Sequence, residues 1–531
     1  MSAALKRLAF PALVLTVVTL LWRLLVFGPA SGGLTALAIF GALLVLVLLG
    51  EPLFVILGGV ATLCFLLLGE GYDTFDSYQV LVVKIANLST KNVLLAIPFF
   101  VVSGAIMSAG SIAGRLIAFA RSLVSWLPGG LAVATVFACV FFAAISGSSP
   151  VTVIAIGSLM LPALTAAKYR EEFSLGLLTA AGSLGIVIPP SIPMLVYALV
   201  ASNTAPVDVG EMFLAGVVPG LLLASFLAAY AVWTGVREKQ PTTPFDPKEV
   251  LRTFREGFWS LGLPGVILGG IYSGLFTPTE AAAVSVAYAL VVELGIHRQL
   301  ELRQLYDALL ESGVAMGALL MIMALSFGLN DFLVERRVPD AAAEWIASKN
   351  MTPLQFALAV NVLLLLVGCL MDSISALLIL APLLVPIAHA LGLDLVHLGI
   401  IFIINLEIGY LTPPVGMNLF VASSVFKKPL GVVIRGALPY VGILAVGLLV
   451  MTYVPTFSLG PVNFFLRDAP VYAAFPDPKP PKTKGEEAAG EKASPGAGKV
   501  MTLQEMMEAA KARGHADGGE APVLVNDRPD E

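Results

Sequence analysis

The chain is 531 residues long, 58% hydrophobic and only 13% charged, with a mean hydropathy of +0.90 and a formal net charge of −5. Soluble domains carry roughly 25% charged residues, so this composition excludes a water-soluble globule and places the chain in a lipid bilayer. The acidic excess comes largely from loops and the C-terminal tail; it says little about partners, and a nucleic-acid partner is not expected.

In chain order, apolar runs near the length of a bilayer crossing recur, enough for roughly a dozen spans or half-spans. Residues 5–27 begin with Lys6 and Arg7 and resemble a signal peptide. The run is long, contains Arg23 and lacks a clear small-residue cleavage site, so residues 1–32 read as an extra, retained N-terminal helix. Spans follow at 33–49 and 53–69, then an amphipathic surface segment at 70–92 and a span at 93–109. Arg115, Arg121 and Trp126 mark an interface. A first broken unit comprises a hairpin at 130–168 and an interrupted helix at 172–200. The loop 202–211 carries two acids and no base; a span at 212–236 closes a first half, residues 33–236.

Residues 237–257 read as a polar linker between halves. The second half, 258–456, has spans at 259–275 and 278–295, a surface arm at 297–311 and a span at 312–333. A second broken unit follows, a hairpin at 354–390 and an interrupted helix at 395–425, then a last span at 436–456. Residues 457–531 read as a polar tail, mostly disordered over 476–531, with a short helix at 501–513. Cys64, Cys139 and Cys369 lie far apart in apolar runs, without metal-ligand spacing or a disulfide pattern.

The two broken units are copies. Ser149 maps to Ser373, Pro162 to Pro386, Gly185 to Gly409, Pro189 to Pro413 and Pro190 to Pro414, at a constant offset of 224 residues without a gap. Counting Lys and Arg in short loops places the 237–257 linker, the N-terminus, Lys427, Lys428 and Arg435 in the cytoplasm and the 202–211 loop and the tail outside; Arg336 and Arg337 fall outside against the trend. The copies then enter from opposite sides, an inverted repeat of the kind found in secondary transporters. The expected fold is an all-α polytopic membrane protein with two re-entrant hairpins and two broken helices.

Each copy carries the same chemistry. At the first hairpin tip, Gly147-Ser148-Ser149, Pro150 suits the start of the returning helix, with Ser149 as its N-cap and Thr152 in its first turn. In the second copy Asp372 or Ser373 takes the cap role. Pro189-Pro190 deprives the carbonyls of Gly185 and Ile186 of helical donors, and Pro413-Pro414 does the same to Gly409 and Tyr410. Unpaired carbonyls at membrane depth cost several kcal/mol each, and a dehydrated Na⁺ satisfies several together. Ser148, Ser149 and Thr152 would complete one shell; Asp372, Ser373, Ser375 and Thr412 would complete the other. Half-helix N-termini after Ser149, Ser373, Pro190 and Pro414 turn positive ends toward an anionic substrate. Ser191 belongs to that substrate-facing set, and Asn418 either joins it or caps the broken helix. Asp372 and Glu407 are acids at membrane depth, whose first-copy counterparts are Ser148 and Ser183. Glu407 is a cation ligand, a proton carrier, or a support for Asn405 or nearby backbone. His389, Asp394 and His397 suggest a polar interface at the second hairpin base. A single Pro-Pro is usually a kink and a lone Ser-Gly-Ser a packing feature; their joint duplication favours a binding site.

The stretches FFAAISGSSPVTVIAIGSLMLPAL, GSLGIVIPPSIPM, GLFTPTEAAAVSVAYAL, MDSISALLILAPLLVPIA and INLEIGYLTPPVGMNLF resemble the large membrane subunit of TRAP transporters (tripartite ATP-independent periplasmic transporters), over roughly residues 33–456. The resemblance implies a Na⁺-coupled importer of organic acids in a bacterial inner membrane, with Na⁺ as the coupling ion and no organic cofactor. It also implies two partners, a small four-helix membrane subunit and a periplasmic substrate-binding protein. Such proteins work as elevators, a transport domain moving against a static scaffold. Their Na⁺ sites correspond here to Gly147, Ser148, Ser149, Gly185 and Pro189, then Asp372, Ser373, Gly409, Thr412 and Pro413. No Gly-x-Ser-x-Gly elbow, HExxH or phosphate loop is present, and the chain is not expected to be an enzyme. The competing readings are an ion channel with re-entrant loops and a Na⁺-coupled anion transporter without a binding protein.

Overall fold

The computed structural model describes residues 92–335 and 351–473, apart from residue 468, and a few positions between 55 and 62. The N-terminal helix, the spans at 33–49 and 53–69, the segment at 70–92, Arg336, Arg337 and most of the tail lie outside the described residues. Every described element is helical; by length and composition six helices can cross a membrane, or seven if the first bent pair is one span.

That bent pair is α1 (Ala96–Ala109) and α2 (Ile112–Val124), 74° apart across a short break. The first broken unit is α3 (Gly130–Ser146), α4 (Ser149–Ala166), α5 (Glu171–Ser183) and α6 (Ile192–Ala201). After it come α7 (Val209–Arg237), α8 (Pro247–Tyr272), α9 (Pro278–Leu290) and α10 (Leu302–Glu335). The second unit is α11 (Pro353–Gly368), α12 (Ser373–Ala390), α13 (Leu395–Gly409) and α14 (Met417–Phe426), followed by α15 (Leu430–Tyr453) and α16 (Thr456–Phe465).

The repeat is visible in the element boundaries, since α4 and α12 start and end at matching positions. Lys168 and its counterpart Gly392 both close a helix in the left-handed region, at φ 62° and 81°. Both Pro-Pro bonds are cis. The packing is reciprocal too: α4 lies against α14, and α12 against α6. Each hairpin's second helix therefore touches the restarted helix of the other copy.

The broken helices form the centre. Every residue from Phe173 to Ala201 is buried, as is every residue of α13. Helices surrounded on all sides need no polar face, which is why these stretches read as unbroken apolar runs. Gly185–Pro190 thus faces protein rather than acyl chains.

Three boundaries differ from the sequence reading. The 237–257 linker is helical from Pro247, because Asp246 accepts from the Lys248 amide at 2.9 Å and Arg252 ties Glu249 to Glu256 along the exposed face. The arm at 297–311 and the span at 312–333 merge into α10. Residues 457–465, assigned to the tail, belong to α16, which packs on α7 and α13.

Candidate functional site

The tip between α3 and α4 is built for close approach. Gly147 takes φ 58°, and a Cβ there would lie 2.9 Å from the Pro190 carbonyl oxygen. A Cβ on Gly185 would lie 2.7 Å from the Ser148 carbonyl oxygen. Only glycine lets the tip backbone lie directly on the unwound segment. Ser148, not Ser149, is the N-cap residue, extended at φ −135° and without a side-chain cap bond. The turn binds itself instead: Thr152 Oγ1 donates to the Ser148 carbonyl at 2.8 Å, and Ser146 Oγ and Thr152 Oγ1 are 3.1 Å apart. Ser149, displaced one position into the helix, turns its hydroxyl to Asn418, whose Nδ2 donates to it at 2.5 Å.

In the second copy Asp372 is the N-cap, accepting from the Ser375 amide at 3.0 Å and from the Ser375 hydroxyl. Its carboxylate lies at the positive end of α12. Tyr410 reaches this tip through its side chain. Its hydroxyl accepts from the Ser373 amide at 2.9 Å and lies 2.6 Å from Ser373 Oγ. The Val415 and Gly416 amides donate to the Cys369 carbonyl at 3.2 and 3.3 Å, and a Cβ on Gly409 would lie 2.5 Å from Gly368 C. Both tips therefore rest on their own unwound segments, as the paired residues in the sequence suggest.

Three of the four proline-freed carbonyls have donors. The Ile186 carbonyl accepts from Ser191 Oγ at 2.5 Å, the Tyr410 carbonyl from the Asn418 amide at 3.2 Å, and the Gly409 carbonyl from the Thr412 amide at 3.0 Å. Ser191 and Asn418, past the proline pairs, and Thr412, just before the second pair, supply these donors, so the demand of these three carbonyls does not by itself require an ion. A carbonyl oxygen has two lone pairs, and one on each remains for a ligand. Thr412 Oγ1 is occupied with the Ile408 carbonyl at 2.8 Å.

Two of the unmatched buried atoms lie on the second broken unit. Asn418 Oδ1 and Glu407 Oε2 are buried without a hydrogen-bond partner among the described residues. Glu407 Oε1 accepts from Ser183 Oγ at 3.0 Å rather than holding Asn405. Asn405 donates to Asn361 Oδ1 at 2.7 Å, and Asn361 in turn to Thr452 Oγ1 at 3.0 Å. The oxygens at both tips suit a hard cation, but only the second has a carboxylate. Either orientation of the Asn418 amide leaves one polar atom over: an acceptor for a cation or, turned over, a donor for a carboxylate.

Ser146, the Tyr410 hydroxyl and the Cys369 carbonyl were missed by the sequence reasoning. Ser146 stands inside the quoted SGSSP motif and was open to discovery; the Tyr410 hydroxyl has no counterpart, since Ile186 occupies that position. Of the residues at the second hairpin base, Asp394 caps α13 and accepts from Arg467 at 2.5 Å, while His397 Nδ1 is 2.7 Å from Ser458 Oγ. Arg467 also forks onto Glu211 at 2.8 and 2.6 Å, and these hydrogen bonds push its pKa above the usual arginine range.

Paired tips lying on paired interrupted helices define a class, the polytopic membrane transporters with internal repeats. The family profile described as "Tripartite ATP-independent periplasmic transporter, DctM component" matches residues 40–457, and the chain belongs to this family. It is 46% identical over 390 residues to the C4-dicarboxylate TRAP transporter large permease protein DctM of Pseudomonas aeruginosa, covering 73% of this chain and 90% of that one. It is 40% identical to the protein of the same name from Rhodobacter capsulatus, covering 81% and 99%. It is 36% identical to the ectoine/5-hydroxyectoine TRAP transporter large permease protein UehC of Ruegeria pomeroyi, covering 82% and 99%. Among solved structures, the YdaH transporter of Alcanivorax borkumensis superposes with a TM-score of 0.53 at 15% identity, covering 75% of this chain and 89% of that one, a likeness of fold alone.

Proposed function

We propose that the chain is the transport subunit of a Na⁺-coupled importer in a bacterial inner membrane, and that it carries C4-dicarboxylates or similar small organic anions. The hairpins α3–α4 and α11–α12 enter the membrane from opposite faces as re-entrant loops. One Na⁺ binds among Ser146, Ser148, Thr152 and the Ile186 carbonyl, and another near Asp372, Ser373, Ser375 and Tyr410. The substrate carboxylates bind between the tips, near Ser149, Ser191 and Asn418. The hairpins and broken helices move as one body against the remaining helices, an elevator. A periplasmic binding protein delivers the substrate, and a small four-helix membrane subunit completes the complex.

The observation that carries this reading is the seating of each tip on its own unwound segment, Ser148 on Gly185 and Ser373 on Tyr410. Backbone interrupted at membrane depth is tolerated where it lines a site, and a cation bound there would pull tip and segment together. Relatives named for dicarboxylate transport support the substrate class; a relative named for ectoine keeps it broad.

The test is uptake into proteoliposomes holding the chain with its small subunit, supplied with binding protein and a labelled C4-dicarboxylate. Saturable uptake that follows an inward Na⁺ gradient and requires the binding protein is expected. Uptake indifferent to Na⁺ overturns the coupling, and uptake undiminished without binding protein favours a stand-alone anion transporter.

A further inference from the structure

A cavity of 240 Å³ lies away from the tips, where the start of α5, the end of α7 and the first half of α15 converge. It is smaller than the roughly 300–1,000 Å³ of pockets that enclose drug-sized ligands, and so suits a single small polar group. Three guanidinium groups line it, from Arg170, Arg237 and Arg435, against two carboxylates, from Glu172 and Glu238. Arg170 is 3.9 Å from Glu172, and Arg237 lies over the Trp233 ring at 5.5 Å. Arg435 has no hydrogen bond or ion pair among the described residues, which leaves the cavity a surplus of positive charge.

A second observation concerns the cavity wall. Thr234, 7% exposed, lines it, and its hydroxyl has no hydrogen-bond partner among the described residues. Helical threonines ordinarily satisfy that hydroxyl on the preceding turn; a buried hydroxyl left over calls for a ligand with an acceptor oxygen. Phosphate oxygens meet both demands, since guanidinium forks match them in geometry and charge.

The surroundings favour lipid over a soluble anion. Trp233, Val236 and Leu438, on the helices that form the walls, are 54%, 58% and 56% exposed. Tyr230 stacks on Trp233 at 5.6 Å. Aromatic residues beside basic ones are the signature of the membrane–water boundary. The same end of the fold holds Lys427 and Lys428 and the start of the 237–257 segment, the face that the Lys and Arg count assigns to the cytoplasm. We propose that this cavity binds the phosphate of an anionic phospholipid from the inner leaflet, held by Arg237, Arg435 and the Thr234 hydroxyl. The site is independent of the transport reading above.

Native mass spectrometry of the full-length, delipidated protein in detergent tests this, with phosphatidylglycerol as the probe and glycerol phosphate as the soluble arm. The native chain should retain one phosphatidylglycerol tightly. Arg435→Gln should weaken retention about tenfold, the scale of one charge-assisted contact. Thr234→Val, which keeps shape and folding, should weaken it severalfold. Lys428→Gln, outside the cavity and paired with Glu171 at 2.5 Å, should change nothing. Equal retention in Arg435→Gln and Thr234→Val overturns the site, as does an equal loss in Lys428→Gln. Displacement of the lipid by equimolar glycerol phosphate overturns the lipid as occupant.

Discussion

Ser183 hydrogen-bonds to Glu407 at 3.0 Å, and the two are each other's counterparts in the repeat, 224 positions apart. Corresponding residues can touch only near the axis that exchanges the two copies. The bond therefore fixes that axis at the C-terminal ends of α5 and α13, beside the unwound segments that follow them.

Removing either partner should be felt. Ser183→Ala leaves a fully buried carboxyl without its donor and should cost about 1–3 kcal/mol of stability. A double-mutant cycle with Glu407→Gln, followed by thermal or denaturant melting in detergent, should return a coupling of about 0.5–3 kcal/mol. Additive losses would mean that the pair is not coupled.

On the proposed cation sites, Asp372→Ala and Thr152→Val should each reduce Na⁺-driven uptake at least about tenfold, because oxygen ligands at membrane depth have few substitutes. Both proteins should still reach the membrane in normal amount. Uptake assays across a Na⁺ titration check this, and unchanged Na⁺ dependence in both variants removes these residues from the cation sites.

Gly185→Ala should displace the first tip. Its Cβ would meet the Ser148 backbone at 2.7 Å, and backbone cannot swing aside as a flexible side chain can. Overpacking of this kind costs about 1–3 kcal/mol. Gly114→Ala, with nothing within 4 Å of the added atom, is the matched control. Melting temperatures and uptake of the two variants should separate clearly.

Arg467→Ala should loosen α16. The guanidinium joins Glu211, in the first turn of α7, to Asp394, the cap of α13, and charge-assisted hydrogen bonds contribute about 1.5–3 kcal/mol before solvent screening. Limited proteolysis should cut between α15 and α16 faster in the variant, and high salt should narrow the difference.

The broken helices were legible in the sequence because proline and glycine act locally: Pro189-Pro190 interrupts a helix whatever surrounds it. The second cap was narrowed to Asp372 or Ser373 for the same reason, and the fold selects Asp372. The first cap was misplaced by one residue, since Ser148 and Ser149 offer identical side chains and only the fold decides which one Asn418 meets. Ser191 and Asn418 replace the donors that the prolines lack, yet spacing alone did not reveal this. Ser149–Asn418 joins the two copies, and pairings between copies leave no periodic trace along the chain. α16 was hidden because Thr456–Phe465 follows a proline and its value lies in packing on α7 and α13.

The Ser183–Glu407 contact also limits how alike the two halves can be. Two identical polypeptides meeting about a two-fold axis can place only like against like at its centre, serine on serine or glutamate on glutamate. A hydroxyl facing a carboxyl there requires two copies that differ in sequence, as the two halves of this single chain do. A pair of identical halves has no means to make this pairing; an asymmetric repeat within one chain does.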